Sequence, residues 1–314
     1  MKELQNILLS DMPLLISTDG YRRLMVEAFP ITPSSFLFQP KSYQDKVKEV
    51  VQQFPEELHL TVDFSSPELQ EGSVAYHRVW GVVTAESRWL FSSKQLETDL
   101  LAAEQNPQIT SHLLHINSPG GEAYYLDRLS ETLRQLEKPV ITLYEMACSA
   151  AYYIGCHGQK VYATTLFDFA GCIGTMTSFY DFQPYYEKLG IKLVEAKADA
   201  SDLKNKMFDD LRKGKAEQYI KEVLNPMNDA FLKEVRQQRK KLSDLPDDAP
   251  VLRGETFFTA AAEEIGLCDG QRTLEQAAQE CAELGRRWSE TTRKKQAVYN
   301  AIWDTIYNTI YNAI

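Results

Sequence analysis

The chain has 314 residues, 44% hydrophobic and 25% charged, enough to bury a sizeable core in one large α/β domain or two modest ones. Lys and Arg number 34 against 44 Asp and Glu, a formal charge of −10, which argues against a broad nucleic-acid-binding face. No run reaches the roughly 18 apolar residues of a spanning helix, and acids and a proline interrupt the opening MKELQNILLSDMPLLISTDG, so neither a transmembrane anchor nor a signal peptide is expected.

Residues 1–29 read as helical and end in the Pro/Ser-rich PITPSSFLFQP, so 1–72 reads as an N-terminal appendage and linker. Residues 43–71 are charged, with scattered apolar positions, and give no firm element. A strand-like run starts at Val74 and passes through AYHRVWGVVT. The chain then alternates. SKQLETDLLAAEQNP predicts a helix and ITSHLLHI a buried strand. LDRLSETLRQLEK predicts a helix with Leu126, Leu129, Leu133 and Leu136 on one stripe, and PVITLYEM a strand. SAAYYIGCHG reads as a short buried helix and KVYAT as another strand. This alternation implies βαβ units around a mostly parallel sheet over 73–288. Residues 209–242 read as a long charged helical region and LSDLPDDAP as a loop. TAAAEEIGLCDG reads as a helix closing on Gly266, and 273–288 as a further helix.

Residues 289–314 read as a basic linker and an amphipathic C-terminal helix. Tyr299, Ile302, Trp303, Ile306, Tyr307, Ile310, Tyr311 and Ile314 recur on one helical face, behind the basic RRWSETTRKK. The stripe fits a helix docked on the body or on a sister chain. A membrane-surface helix and an added extension are the other readings.

Five Cys, at 148, 156, 172, 268 and 281, contain no C-x-x-C pair. That argues against a disulfide framework and a structural zinc site, and for a reducing compartment. No cofactor or metal is expected. His112 and His115 stand three apart on one strand and face opposite sides, so they are not a metal pair.

Two segments carry chemistry. Asn117-Ser118-Pro119-Gly120-Gly121 follows a buried strand and precedes a helix. A Gly pair there lets the backbone turn sharply and aim its N–H groups at a developing oxyanion. An ordinary strand-to-helix turn is the plain alternative. The second segment is Met146-Ala147-Cys148-Ser149-Ala150-Ala151-Tyr152-Tyr153-Ile154-Gly155. Small residues surround Ser149 at a helix start, so a carbonyl could approach its hydroxyl, with the Ala150 N–H as a further donor. A small-residue helix start beside a core is its plain alternative.

The pair, with a Ser about 28 residues after NSPGG, resembles the Clp/crotonase-fold serine peptidases. The details resemble the signal peptide peptidase A family. MACSAAYYIG is similar to its nucleophile segment, and VYATTLFDFAGCIGTM to its strand and G-[ST]-I-G turn, with Cys172 where Ser or Thr is usual. KLGIKLVEAK and FTAAAEEIGLCDG resemble two further blocks, so the likeness covers roughly residues 73–275. It implies an α/β Clp/crotonase-like ββα superhelix with a parallel sheet. It also implies a Ser–Lys dyad in a homo-oligomer whose active sites lie near subunit interfaces, where the Lys can come from a neighbour. Ser149 is then the nucleophile, with Gly120, Gly121 and Ala150 as the oxyanion hole.

A Ser nucleophile needs a base. None of His59, His77, His112, His115 and His157 sits in a triad context. The resemblance places the Lys in Ala198-Asp199-Ala200-Ser201-Asp202-Leu203-Lys204-Asn205-Lys206, at Lys204, with Lys206 as the alternative. Ala-Asp stands where the family has Ser-Gly, which leaves that register open. A lysine serves as base only if burial or a neighbouring cation lowers its pKa.

LLSDMPLLISTDGYRRLMVEAF resembles the N-terminal block of tailed-phage capsid-assembly proteases, which implies scaffold or capsid proteins as substrates and a place in the prohead or the cytoplasm. The alternatives are a cytosolic bacterial or prophage peptidase, a non-catalytic scaffold on the same fold and, more remotely, a crotonase-type acyl-CoA enzyme.

Overall fold

The computed structural model describes residues 14–16, 41–179 and 181–311. Strand β1 is Leu14–Ile16. A helix was expected across this stretch. Pro13 removes a backbone donor and disfavours helix at the residue before it, so one helix does not run through this stretch, and an apolar tripeptide gains instead by pairing its backbone with another strand. The rest of the appendage expected over 1–29 lies outside the described residues. Helix α1 (Tyr43–Val51) supplies structure in the charged stretch for which no firm element was expected; Ser42 caps it by accepting the Asp45 N–H.

The strands follow as β2 (Leu60–Thr61), β3 (Ser73–Trp80), β4 (Val83–Thr84) and β5 (Phe91–Ser92), the last leading straight into α2 (Ser93–Gln105). Next come β6 (Ile109–Ser118), β7 (Gly120–Glu122), α3 (Leu126–Gln135) and β8 (Val140–Cys148). The short α4 (Ala150–Gly155), β9 (Lys160–Ala163) and β10 (Phe169–Gly171) complete the parallel core. Seven strands form one sheet in the order β11-β10-β8-β6-β3-β2, where β11 is Thr256–Phe258 and β9 also pairs with β8. All its pairs are parallel except β10 with β11. The alternation of strands and helices had predicted that sheet. A second sheet, β1-β7-β4-β5, stands at the carboxyl end of β6 and carries the Gly pair.

Both faces of the large sheet are covered, which is why its strands read as near-continuous apolar runs. Leu114 and Ile116 of β6 and Val140 and Tyr144 of β8 pack with Leu96 and Leu100 of α2 and Leu129 and Leu133 of α3. Leu113, Ile141 and Leu143 face the other way, onto Ala277, Ala278 and Cys281 of the C-terminal helix.

Beyond β10 the chain differs from expectation. The single helical region read over 209–242 is broken into pieces. They are preceded by α5 (Gln183–Lys188) and comprise α6 (Lys206–Arg212), α7 (Glu217–Tyr219), a π-helical turn over Ile220–Leu224, α8 (Asn225–Gln238) and α9 (Lys240–Ser243). Gly214 turns left-handed at φ 79° after α6, and Pro226 cannot donate into the turn before it, where the helix widens. Helix α10 (Thr259–Ile265) closes on Gly266 at φ 100°, as read from the sequence. Helix α11 runs unbroken over Leu274–Tyr311 and takes in the expected basic linker. Pairs one turn apart, Arg286–Glu290 and Arg287–Glu283, make those charged residues good helix formers.

Candidate active site

Buried strand β8 ends where the chain turns into α4, and Ser149 makes the turn. Its φ of 55° and ψ of −122° lie where a non-glycine residue pays roughly 1–3 kcal/mol. Two main-chain hydrogen bonds of 2.9 Å hold it there: its N–H donates to the Gly171 carbonyl, and its carbonyl accepts from the Tyr153 N–H. Cys148, Ala150 and Ala151 beside it are buried, and Ser149 is 1% exposed. No hydrogen bond engages its hydroxyl among the described residues. The neighbouring Cys148 thiol is pushed up to about 12 by burial, so it stays protonated and is a poor nucleophile.

The Gly pair has a different setting from the expected strand-to-helix turn. Gly120 and Gly121 lie in β7, and α3 starts only at Leu126. Gly120 adopts φ 100°, and its N–H is already taken by the Ser118 hydroxyl at 3.2 Å. Gly121 pairs with Val83, and a Cβ added there would come within 1.9 Å of the Val83 carbonyl oxygen. Only glycine lets β4 and β7 approach so closely. Helix α4, which starts at Ala150, packs against β7. Glu122 steadies the same sheet by accepting the Ala85 N–H at 2.6 Å, and burial raises its carboxyl pKa. Asn117 Nδ2 donates to Glu145, tying the ends of β6 and β8 behind the two motifs.

The candidate lysines lie on an exposed segment. Residues 181–206 include no buried side chain, and Lys204 is exposed. It lines a cavity of about 500 Å³ with Val194, Glu195, Ala196, Lys197, Ala198, Ser201 and Asn205, a lining without any residue of β8 or α4. Lys206 donates to Asp210 at 2.6 Å, and that hydrogen bond raises its pKa, opposite to the requirement for a base. No hydrogen bond joins either lysine to Ser149 among the described residues.

Four of the five histidines are otherwise engaged. His157 Nε2 meets Glu234 at 3.0 Å and the Ser130 hydroxyl at 3.0 Å. Glu234 also binds Arg134 and Gln238, and these partners outweigh its burial, bringing its carboxyl down to about 2. His112 pairs with His77 and Glu104 on one face of the sheet, and His115 with Tyr76 on the other, as their spacing requires. Among the described residues no three His, Cys, Asp or Glu converge as a metal site. Two parts of the site escaped the sequence reading: Gly171, which clamps Ser149, and Val83, which brackets Gly121. Gly171 stands in the G-C-I-G turn noted there, whereas Val83 is one valine among many in strands.

Residues 132–287 match peptidase family S49. Three curated proteins are similar. One, named for signal peptide peptidase, is from Enterococcus faecium; it is 28% identical over 188 residues, 58% of this chain and 53% of that protein. A protease of Methanocaldococcus jannaschii is 25% identical over 184 residues, 58% of each chain. Protease 4 of Haemophilus influenzae is 25% identical over 189 residues, 59% of this chain and 30% of that protein. The chain thus spans between about a third and three fifths of the length of these relatives. The mostly parallel sheet flanked by helices is consistent with the Clp/crotonase-like α/β fold of family S49. Together these matches support the signal peptide peptidase A family, peptidase family S49, for this chain.

Proposed function

We propose that the protein is a serine endopeptidase in which Ser149 is the nucleophile and Lys204 the general base. The observation that carries the reading is the strained, buried turn at Ser149 (φ 55°), clamped between Gly171 and Tyr153 beside the Gly120–Gly121 strand. Strain held in place by surrounding structure concentrates at functional sites. Ser149 Oγ bonds to the substrate carbonyl carbon while the Lys204 amine takes the hydroxyl proton. The Gly121 and Ala150 N–H groups receive the oxyanion, and Gly120, whose own N–H is engaged, shapes the strand. The peptide C–N bond then breaks as Lys204 returns the proton to the leaving amine. Water hydrolyses the Ser149 ester by the same route.

Lys204 lies exposed on a segment without buried side chains, so we infer that it completes the site of a neighbouring protomer in a homo-oligomer. The N-terminal block LLSDMPLLISTDGYRRLMVEAF favours phage scaffold and capsid proteins as substrates, cut in the prohead or the host cytoplasm. The name of the Enterococcus faecium relative favours signal peptides as substrates, the second reading.

Ser149 of the wild type should react with a fluorophosphonate probe, which a scaffold or a crotonase-type enzyme would not do. Coexpressed Ser149→Ala and Lys204→Ala chains should regain part of the activity that each lacks alone. Absence of labelling overturns the peptidase reading. Labelling without complementation puts the base in the same chain as the nucleophile. Mass spectrometry of head-protein digests, wild type against Ser149→Ala, separates the two substrate readings.

A further inference from the structure

Strand β7 has two edges. β4 occupies one, parallel, with Val83 fully buried in the core. The other is occupied by a segment about a hundred residues earlier in the chain. Leu14–Ile16 runs antiparallel to β7, with Leu14 opposite Glu122, Leu15 opposite Gly121 and Ile16 opposite Gly120. Backbone N–H and C=O groups of a strand point sideways, in the plane of the sheet. A peptide that docks on β7 through its main chain must therefore lie extended along one of these edges. β4 is built into the core and cannot make way, so the position open to such a peptide is the one β1 now takes.

We propose that Leu14–Ile16 is a resident pseudo-substrate. It is an edge strand on β7 that an incoming extended peptide must displace before it can reach Ser149, and the inference rests on the peptidase reading above. β1 is the terminal strand of its sheet and pairs over three residues, a length that opens at little cost. Its sequence, Leu-Leu-Ile, indicates the chemistry of the segment that replaces it: a short, extended, apolar stretch held chiefly by main-chain hydrogen bonds. The occupied edge lowers the apparent affinity for substrate without touching the chemical step.

The test separates binding from catalysis by using the full chain with Ser149→Ala. Successive residues of a strand turn their N–H groups to opposite sides, so one of Leu15→Pro and Ile16→Pro removes a donor into β7. A fluorescently labelled synthetic peptide, Met-Pro-Leu-Leu-Ile-Ser, is titrated by anisotropy into Ser149→Ala with and without each proline. At least one proline variant should bind the peptide at least tenfold more tightly, while a peptide of the same composition with Pro in place of the central Leu shows no gain. Equal affinity in all three proteins overturns the proposal. Hydrogen exchange on Ser149→Ala without the proline changes gives a second measurement, independent of how the variants fold. Saturating peptide should speed exchange of the amides of residues 14–16, and unchanged exchange there also overturns the proposal. Failure of the peptidase reading looks different: wild-type Ser149 stays unreactive to fluorophosphonate while the gain in peptide binding persists.

Discussion

At the scale of single residues, backbone geometry ranks the candidates more sharply than residue type does. Ser149→Ala should lower peptide hydrolysis by on the order of 10⁴–10⁶-fold in kcat with the fold intact, as loss of a covalent nucleophile does. Ser149→Gly should be as inactive yet about 1 kcal/mol more stable than Ser149→Ala, because glycine adopts φ 55° without strain and gives back only part of that gain in chain entropy. Thermal unfolding of the two variants checks this, and equal stabilities would mean that the turn is not strained. Lys204→Ala should match Ser149→Ala in activity, while Lys206→Ala, which removes only an exposed pair with Asp210, should stay near wild type. The reverse pattern in steady-state kinetics would move the base by two residues. As a candidate nucleophile Ser149 was legible in the sequence because small residues crowd it. The competition between Lys204 and Lys206 was not, because only the Asp210 contact distinguishes them. His157 has a structural part instead. The carboxyl of its partner Glu234 is held at about 2, below its ordinary value near 4.5, so it stabilises the fold above pH 4.5, and that contribution fades as pH falls toward 2. Glu234→Gln should cost roughly 3 kcal/mol at pH 7 and flatten the acid limb of stability between those pH values, as read by denaturant unfolding across pH.

At the scale of elements, β7 is where the sequence reading and the structure part company most usefully. A turn running from NSPGG directly into a helix would tolerate a small side chain at Gly121. A strand pressed against the Val83 carbonyl does not. Gly121→Ala should therefore force β4 and β7 apart, losing roughly 10²–10³-fold in kcat as the donor moves, and should also lower the melting temperature. A melting temperature equal to wild type would show that the two strands are less tightly apposed than this. The long core strands were legible because a parallel sheet buried on both faces writes itself as apolar runs, such as ITSHLLHI and PVITLYEM. Short pieces were not. Three residues of β7 or β1 carry no periodicity, and their pairing partners lie roughly a hundred residues apart in sequence for β1 with β7 and about forty for β4 with β7. The break-up of 209–242 was partly legible, since Gly214 and Pro226 stand in plain view, but charged helical composition on either side masked them.

At the scale of the whole molecule, exposed apolar side chains gather on the segment that carries Lys204 and along α11, besides Tyr124, Phe167, Phe169 and Phe258 on elements beside the Ser149 turn. Tyr185, Leu189, Ile191, Leu193 and Leu203 lie exposed on the segment that carries Lys204. Val298, Tyr299, Ile302 and Trp303 lie exposed along α11. Large side chains in such numbers do not remain in water at low cost; each is worth about 1.5–3 kcal/mol when covered. The α11 stripe continues in sequence through Ile306, Tyr307, Ile310, Tyr311 and Ile314 with the same helical spacing. The part of α11 from Leu274 to Leu284 is fastened to the large sheet through Ala277, Ala278 and Cys281, so the stripe beyond it can be removed without opening the core. Truncation of residues 297–314 should therefore leave the melting temperature nearly unchanged while lowering the mass measured by light scattering on a sizing column. The truncated protein should keep Ser149 reactivity toward a small fluorophosphonate, because no hydrogen bond joins a described residue of the stripe to that centre. It should lose hydrolysis of longer peptides only so far as Lys204 is delivered by a neighbour that the stripe helps to hold. A truncated protein of unchanged mass that melts several degrees lower would instead seat the stripe on the chain's own body and leave association to the segment around Lys204.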